Sequence, residues 1–182
     1  MKRAHFAGVL ALYIAAVSGV AYADDRKPIA SVPSVASAFT PGGALPLVLS
    51  TIRGANTSIA VAAYSFTSKP ISLALLDAHK RGVRVAVVVD QRDAGKGYSA
   101  ARFLANHGVP VRTNGRYSIQ HNKYIVVDRM TVQTGSFNYT SSASERNAEN
   151  VLVVGNAPDL AATYIADWQR LWNEGSDLRP SF

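Results

Sequence analysis

Cysteine is absent from the 182 residues of this chain. Its absence excludes a disulfide scaffold, a zinc finger with thiolate ligands, a thioredoxin-like redox motif and an enzyme with a thiol nucleophile. Acidic residues are also few, because 12 Asp and Glu stand against 19 Lys and Arg, for a formal net charge of +7. This excess of positive charge favours partners that carry phosphate or other anions.

The length and composition are those of an ordinary globular protein. Hydrophobic residues make up 48% of the chain and charged residues 17%, and no internal repeat is visible. A chain of this size can bury a single core without disulfides or metals. We therefore expect one folded domain.

The first residues have the pattern of a targeting segment. Lys2 and Arg3 precede an apolar run over residues 6–20, and Ala21-Tyr22-Ala23 has the small-x-small form of a cleavage site. We expect residues 1–23 to be a cleavable signal peptide, so that the mature protein is periplasmic or secreted and has no stable membrane association. The alternative is an uncleaved anchor, but the apolar run is shorter than the ~20 residues that span a bilayer.

Two further regions follow the expected signal. Residues 24–38 are rich in Pro, Ser and Ala and are predicted to be a flexible lead-in, and residues 39–182 are predicted to be the folded domain. In that domain, helical and strand patterns alternate, which indicates an α/β fold. We expect a mixed β-sheet flanked by helices on both faces, parallel at its start and paired in hairpins later. Helices are predicted over residues 44–53, 69–81, 98–107 and 159–172, and strands over 58–66, 83–90, 109–112, 124–128, 131–135 and 150–154.

Residues with catalytic potential are concentrated between His121 and Glu149. A neutral imidazole can act as nucleophile or proton carrier near pH 7, and Lys123, two residues on, can neutralise a phosphate oxygen. Ser136 and Asn138 can supply further hydrogen bonds, and Glu149 can hold an imidazole in one tautomer. Each residue also has an ordinary interpretation: a hydrogen-bonded strand histidine, a surface lysine, two turn residues and an exposed carboxylate.

Three linked motifs resemble the signature of the phospholipase D superfamily. The run from His121 to Asp128 has the form H-x-K-x₄-D, and it is followed by G-S-x-N from Gly135 to Asn138 and by Glu149-Asn150. Within that superfamily, a short exported chain with a single motif most resembles the bacterial Nuc-type endonucleases. The resemblance implies a phospholipase D-like sandwich fold and a catalytic domain over residues 39–182.

The resemblance also implies a mechanism for the site. In the family, one motif histidine attacks phosphorus to form a phosphohistidine, and a second motif histidine protonates the leaving oxygen. This chain holds one motif, so two copies of His121 would come from a homodimer with twofold symmetry. Lys123 and Asn138 would bind the non-bridging oxygens, and Glu149 with Ser136 would orient the imidazole. Asp128 completes the motif, although in the family it tends to make structural contacts, and neither a metal nor another cofactor is implied.

Basic residues near the motifs suggest the substrate. Arg116 and Arg146 are expected to bind a polyanionic backbone, and Tyr117 and Tyr139 are candidates for stacking on unpaired bases. Arg92, Lys96 and Arg112 lie near the same segments. Because no sequence-reading module is visible, we expect cleavage of DNA or RNA with little sequence preference.

Two alternatives belong to other functional classes. A lipid-directed phospholipase D would use the same chemistry and would need an apolar rim around the site. A catalytically silent nucleic-acid-binding module would bind strongly in low salt and release no product.

Overall fold

The computed structural model describes residues 32–95 and 99–181 of the chain. The expected signal peptide, residues 1–23, and the basic residue Lys96 lie outside the described residues.

In the described part of the chain, eight strands form one mixed sheet in the order β1-β7-β6-β5-β2-β3-β4-β8. Strands β2, β3 and β4 are parallel to one another, and the other neighbours pair in antiparallel fashion. This arrangement confirms the predicted parallel start and later hairpins. The strands are β1 Ser34–Phe39, β2 Ser58–Ala63, β3 Arg84–Asp90, β4 Val111–Asn114, β5 Lys123–Val127, β6 Thr131–Gly135, β7 Asn150–Gly155 and β8 Ser176–Asp177.

Helices cover both faces of this sheet, as the sequence predicts. The helices are α1 Ala44–Arg53, α2 Lys69–Lys80, α3 Gln91–Ala94, α4 Ala100–Asn106, α5 Ser141–Glu145 and α6 Pro158–Glu174. Side chains of β2 alternate between two apolar clusters, so that Ile59 and Val61 pack with α1, α2 and α4 whereas Ala60 and Ala62 pack with α6. The sheet centre is thus buried on both sides.

Local sequence signals account for most element boundaries. The Ser68 side chain caps α2 by accepting a hydrogen bond from the backbone N–H of Ile71, and the Ser99 side chain caps α4 by accepting one from that of Ala101. Gly82 follows α2 with φ +91°, a conformation in which glycine has no steric penalty. The predicted bounds of α1 agree with the structure.

The predicted flexible lead-in is wrong over its last five residues. Residues 34–38 belong to β1, which pairs along its whole length with β7, from Ser34 opposite Gly155 to Phe39 opposite Asn150. The Ser- and Ala-rich composition of β1 does not indicate a strand, and the pairing with β7 supplies the backbone hydrogen bonds that hold it. Within the described ranges, no helix has the length and apolarity to cross a bilayer.

Candidate active site

The motif residues, which come from distant parts of the chain, meet at one edge of the sheet, where the parallel strands have their carboxyl ends. Ala63 at the end of β2 lies opposite Lys123 at the start of β5, and Gly135 at the end of β6 lies opposite Val151 near the start of β7. The carboxyl ends of the parallel strands face the same edge, which is where α/β sheets ordinarily bind ligands. The topology therefore brings the segments around His121, Ser136 and Glu149 together.

A cavity of about 740 Å³ opens at this edge. Five of the predicted site residues line it, and a segment of α6 forms another part of its wall. Its lining consists of His121, Asn122, Lys123, Tyr124, Thr134, Gly135, Ser136, Asn138, Glu149, Thr163, Tyr164, Asp167 and Arg170.

His121 and Lys123 contact each other and one shared aromatic ring. The Lys123 ammonium donates a hydrogen bond to the backbone carbonyl of His121 at 2.6 Å. The imidazole of His121 lies 4.7 Å from the ring of Tyr64, centroid to centroid, and Lys123 Nζ lies 5.2 Å from the centroid of the same ring. Lys123 is only 8% exposed. Its burial lowers the pKa of its ammonium, and the negative charge of Glu149 partly opposes that effect.

Glu149 is held by hydrogen bonds on both of its carboxylate oxygens. Ser136 Oγ donates to Oε2 at 2.6 Å, and the side-chain amide of Asn147 donates to Oε1 at 2.8 Å. The backbone N–H of Glu149 donates to the Thr40 hydroxyl at 2.7 Å. The carboxylate is thereby fixed on the cavity wall, and neither of these side-chain bonds involves His121.

Asn138 also lines the cavity, on a short segment that buried side chains hold in place. Its neighbours Phe137 and Tyr139 are fully buried, and the Tyr139 hydroxyl donates to Gln133 at 2.8 Å. Asn138 Oδ1 is buried without a donor among the described residues. The carboxamide thus turns its oxygen into the protein, which leaves its NH₂ group as the end able to donate to a ligand.

The α6 wall of the cavity was not predicted from the motifs. The hydroxyl of Tyr124 donates to Asp167 Oδ2 at 2.8 Å, and Arg170 forms ion pairs with Asp167 and Glu174. Burial, followed by this bond to Asp167, raises the pKa of Tyr124 far above its usual value. The spacing of Thr163, Asp167 and Arg170 places them on one face of the helix, a signal available in the sequence. No comparable pattern marks Tyr64.

Asp128 is not brought into the cavity, which corrects its prediction as a catalytic residue. It follows the far end of β5, about 17 Å from Lys123 at the usual rise of a strand. Its carboxylate accepts hydrogen bonds from the backbone N–H groups of Asn56, Thr57 and Ser58 at 2.8–2.9 Å. Burial raises the pKa of this carboxyl, but these bonds outweigh that effect and bring the pKa to about 2. Asp128 thus fixes the turn between α1 and β2.

The predicted substrate-binding arginines lie outside the cavity lining. Arg116 follows the end of β4 with its side chain 67% exposed and its Nε 3.6 Å from Glu174. Arg146 is exposed at the end of α5 and donates to the Ser142 hydroxyl. Arg112 is engaged elsewhere, in an ion pair with Asp177. Binding of a substrate by Arg116 and Arg146 stays a prediction.

The two tyrosines proposed for base stacking differ in exposure. Tyr139 is fully buried, so the expectation that it stacks on bases is wrong. Tyr117 is 38% exposed, and its hydroxyl is bonded to Glu174 and Arg170. Only Tyr117 is therefore accessible to a base.

The other two histidines among the described residues lie away from the cavity. His79 is in the last turn of α2, and His107 ends α4 with its Nδ1 2.8 Å from the carbonyl of Phe103. In residues 32–95 and 99–181, no group of three or more His, Asp or Glu side chains is arranged to hold a metal ion.

Comparison with known protein sequences gives consistent matches. A family model described as the PLD-like domain of cardiolipin synthase matches residues 48–172. A protein named phospholipase D from Rickettsia bellii is 37% identical over 135 residues, which cover 74% of this chain and 67% of that protein. The mitochondrial cardiolipin hydrolase of Xenopus laevis is 35% identical over 123 residues, which cover 68% of this chain and 58% of the hydrolase.

Solved structures give the same fold. Nuc from Salmonella typhimurium, described as a phospholipase D family member, is 47% identical with a TM-score of 0.80, over 81% of this chain and 99% of Nuc. NucT from Helicobacter pylori has a TM-score of 0.73 at 22% identity, over 81% of this chain and 100% of NucT. These likenesses confirm the predicted phospholipase D-like sandwich.

Proposed function

The chain belongs to the phospholipase D superfamily of phosphodiesterases, and on that premise we propose that it is an endonuclease acting on DNA or RNA, or on both, with little sequence preference. We further propose that the reaction passes through a phosphohistidine at a site shared by two copies of the chain and needs no metal. The similarity to Nuc supports the endonuclease assignment.

The observation that carries the proposal is that His121 is the one histidine lining the cavity among the described residues. The reaction implied by the sequence resemblance needs two imidazoles, one as nucleophile and one as acid. His79 and His107 lie on other parts of the fold. A second copy of the chain, related by a twofold axis, is the simplest source of the second imidazole.

In the first step, one His121 imidazole attacks phosphorus and forms a P–N bond. The P–O bond to the leaving oxygen breaks, and the protonated His121 of the second copy gives that oxygen its proton. In the second step, the same second-copy imidazole takes a proton from water, whose oxygen attacks phosphorus. The P–N bond then breaks, which releases a phosphate monoester and restores both histidines.

Lys123 and Asn138 can stabilise the charge on the phosphate during both steps. The Lys123 ammonium uses one donor on the His121 carbonyl, so two of its three N–H donors are available to phosphate oxygens. The Asn138 NH₂ group adds a neutral donor. Fixed donors in a partly buried site stabilise developing charge more than mobile water does.

The charge of the chain favours nucleic acid over lipid as substrate. Lys and Arg number 19 against 12 Asp and Glu, and they remain in excess without residues 1–23, which contain only Lys2 and Arg3 of these residues. This excess of positive charge favours a polyanion. Lipid hydrolysis is the second candidate, because relatives of this chain are named phospholipase D and cardiolipin hydrolase.

One set of assays distinguishes these functions. The chain without residues 1–23 is incubated with supercoiled plasmid, RNA or cardiolipin vesicles, in EDTA, beside His121→Ala and the control His107→Ala. We expect nicked plasmid, cleaved RNA or both from the wild type and the control, and neither product from His121→Ala. Release of phosphatidic acid alone would support the lipid enzyme, and binding without product the silent module. Nicking that requires a divalent metal would contradict the mechanism.

Export stays a prediction that follows from residues 1–23. Cell fractionation tests it, with the processed chain expected in the periplasm or the medium. An unprocessed chain that sediments with membranes would support the alternative of an uncleaved anchor.

A further inference from the structure

Tyr64 is the aromatic neighbour that both motif side chains share. It directly follows β2, whose last residue, Ala63, is paired with Lys123. The register of the sheet therefore sets the ring of Tyr64 beside the start of β5. The ring lies 4.7 Å from the His121 imidazole, at an interplanar angle of 54°, and 5.2 Å from Lys123 Nζ.

We propose that Tyr64 is a positioning residue, whose ring holds the His121 imidazole and the Lys123 ammonium in the arrangement that phosphodiester hydrolysis requires. The inference rests on the proposed roles of His121 and Lys123. It does not depend on whether the diester belongs to a nucleic acid or a lipid.

The His121 ring has little else to orient it. Within the described residues, the imidazole makes no hydrogen bond, and the side-chain bonds of the Glu149 carboxylate come from Ser136 and Asn147. His121 is exposed at the cavity, before the first residue of β5. An in-line attack requires a fixed nucleophile, since small misplacements of reacting groups slow a reaction strongly. The Tyr64 ring supplies that restraint by contact.

The Tyr64 ring also acts on both side chains electrostatically. The face of an aromatic ring carries partial negative charge and attracts a cation placed over it. Lys123 is charged and largely removed from water, and one copy of His121 must be protonated to act as the acid. A neutral ring stabilises both cations without adding a carboxylate that would repel the phosphate.

The ring, and not the hydroxyl, carries this role. Tyr64 Oη makes no hydrogen bond with any residue of the described part of the chain, and the side chain is half-buried. Phenylalanine should therefore replace tyrosine, whereas leucine should not. A matched control is the pair of Phe103, in α4, and His107, directly after it, whose rings are 4.4 Å apart and away from the cavity.

The test compares Tyr64→Phe, Tyr64→Leu and Phe103→Leu in hydrolysis of bis(4-nitrophenyl) phosphate, a diester with neither base nor lipid. Rates are normalised to the folded fraction from near-ultraviolet circular dichroism. We expect Tyr64→Leu to lower kcat about tenfold with a smaller change in KM, because the restraint matters most in the transition state. Tyr64→Phe and Phe103→Leu should keep kcat within about twofold of the wild type.

Several outcomes would overturn the inference. Tyr64→Leu with an unchanged kcat, or with a change in KM alone, would exclude a positioning role. Equal losses in Tyr64→Phe and Tyr64→Leu would assign the effect to the hydroxyl. If the wild type itself does not hydrolyse the diester, the proposed function fails together with the role of Tyr64. If only the role of Tyr64 fails, the wild type remains active.

A spectroscopic measurement keeps the test decisive if Tyr64→Leu does not fold. In the wild type and in Tyr64→Phe, the ring protons of His121 should show the chemical-shift displacement that an adjacent aromatic ring causes. Assignment by comparison with His121→Ala identifies these signals. Undisplaced signals would contradict the ring contact.

Discussion

The Ser136 hydroxyl donates a hydrogen bond to Glu149 at 2.6 Å and joins the end of β6 to the start of β7. The backbone N–H of Asn150 donates to the same hydroxyl at 3.1 Å, so Ser136 is held from two sides. Glu149 is thereby kept where its charge raises the pKa of Lys123 against the effect of burial. The carboxylate thus supports the Lys123 ammonium, whereas its side-chain hydrogen bonds come from Ser136 and Asn147 and not from the His121 imidazole that the sequence resemblance implies as its partner.

Replacing Glu149 with Gln should therefore narrow the pH range over which the site binds phosphate. Phosphate binding needs the protonated Lys123, and this form is lost as the pH rises through its pKa. Without the negative charge of Glu149 that pKa falls further, so the affinity for inorganic phosphate should be lost at a lower pH than in the wild type. Titration calorimetry with inorganic phosphate at several pH values measures this affinity, with Glu145→Gln, at an exposed residue of α5, as the control. The same pH dependence of phosphate binding in Glu149→Gln and the wild type would refute this coupling.

Lys123→Met should lower the activity of the protein without lowering its stability. Loss of a charged donor from the site should lower kcat/KM by about 10²- to 10³-fold. The folded protein should be at least as stable as the wild type near pH 7, because burial makes the Lys123 charge costly.

The pH dependence of stability checks the sign of this effect. Since the pKa of Lys123 is lower in the folded state than its usual 10.5, the folded state binds this proton more weakly than the unfolded chain does. The wild type should gain stability relative to Lys123→Met as the pH rises from the lowered pKa toward 10.5. Thermal melts at several pH values measure this difference in stability. A wild type that is more stable than Lys123→Met at pH 7, and whose advantage shrinks as the pH rises, would contradict the prediction.

Asp128→Asn should destabilise the fold and leave catalysis intact. The amide cannot accept all the hydrogen bonds that the carboxylate receives, so we expect a loss of about 2 kcal/mol in the free energy of unfolding. Because the pKa of Asp128 is depressed to about 2, the wild-type advantage is present above the usual value of 3.8 and is lost as the pH falls toward 2.

Urea unfolding between pH 7 and pH 2 measures that advantage, with Asp77→Asn on the exposed face of α2 as the control. The kcat per folded molecule should equal that of the wild type. A large fall in kcat with unchanged stability would restore Asp128 as a catalytic residue.

Arg116→Gln and Arg146→Gln should weaken nucleic-acid binding without affecting the chemistry. Each should reduce the slope of log K against log salt by about 1, if each arginine contacts one phosphate. Hydrolysis of bis(4-nitrophenyl) phosphate should not change. Arg84→Gln is the control, because Arg84 begins β3 at the opposite edge of the sheet. Equal slopes in all three variants would show that Arg116 and Arg146 are not substrate contacts.

Much of the fold could be predicted because its signals are local. Apolar periodicity and caps such as Ser68 mark α1 and α2, and the continuous apolar run of β3 indicates burial on both faces. β1 could not be predicted, because its Ser- and Ala-rich sequence becomes a strand only through pairing with β7. The short helices α3 and α5 depend likewise on side-chain caps, from Asp90 at the end of β3 and from Thr140.

The sequence predicts only those site residues that belong to the motifs. Linear spacing identifies His121, Lys123, Ser136, Asn138 and Glu149, and the structure places all five on one cavity. Spacing also includes Asp128 in the motif, although the length of β5 carries it to the other edge of the sheet. Tyr64 and the α6 wall reach the site through sheet register and helix packing, which join segments far apart in sequence.

The central claim, that two copies of His121 act on one phosphorus atom, is tested most directly by subunit mixing. Wild-type protein is unfolded and refolded with an equal amount of His121→Ala, with His107→Ala as the control partner, and nicking is measured in EDTA. If dimers form at random, only about a quarter should hold two copies of His121, so activity should fall to about half of that expected for independent subunits. Activity proportional to the wild-type fraction, or full activity from a monomer in sedimentation, would contradict the shared site.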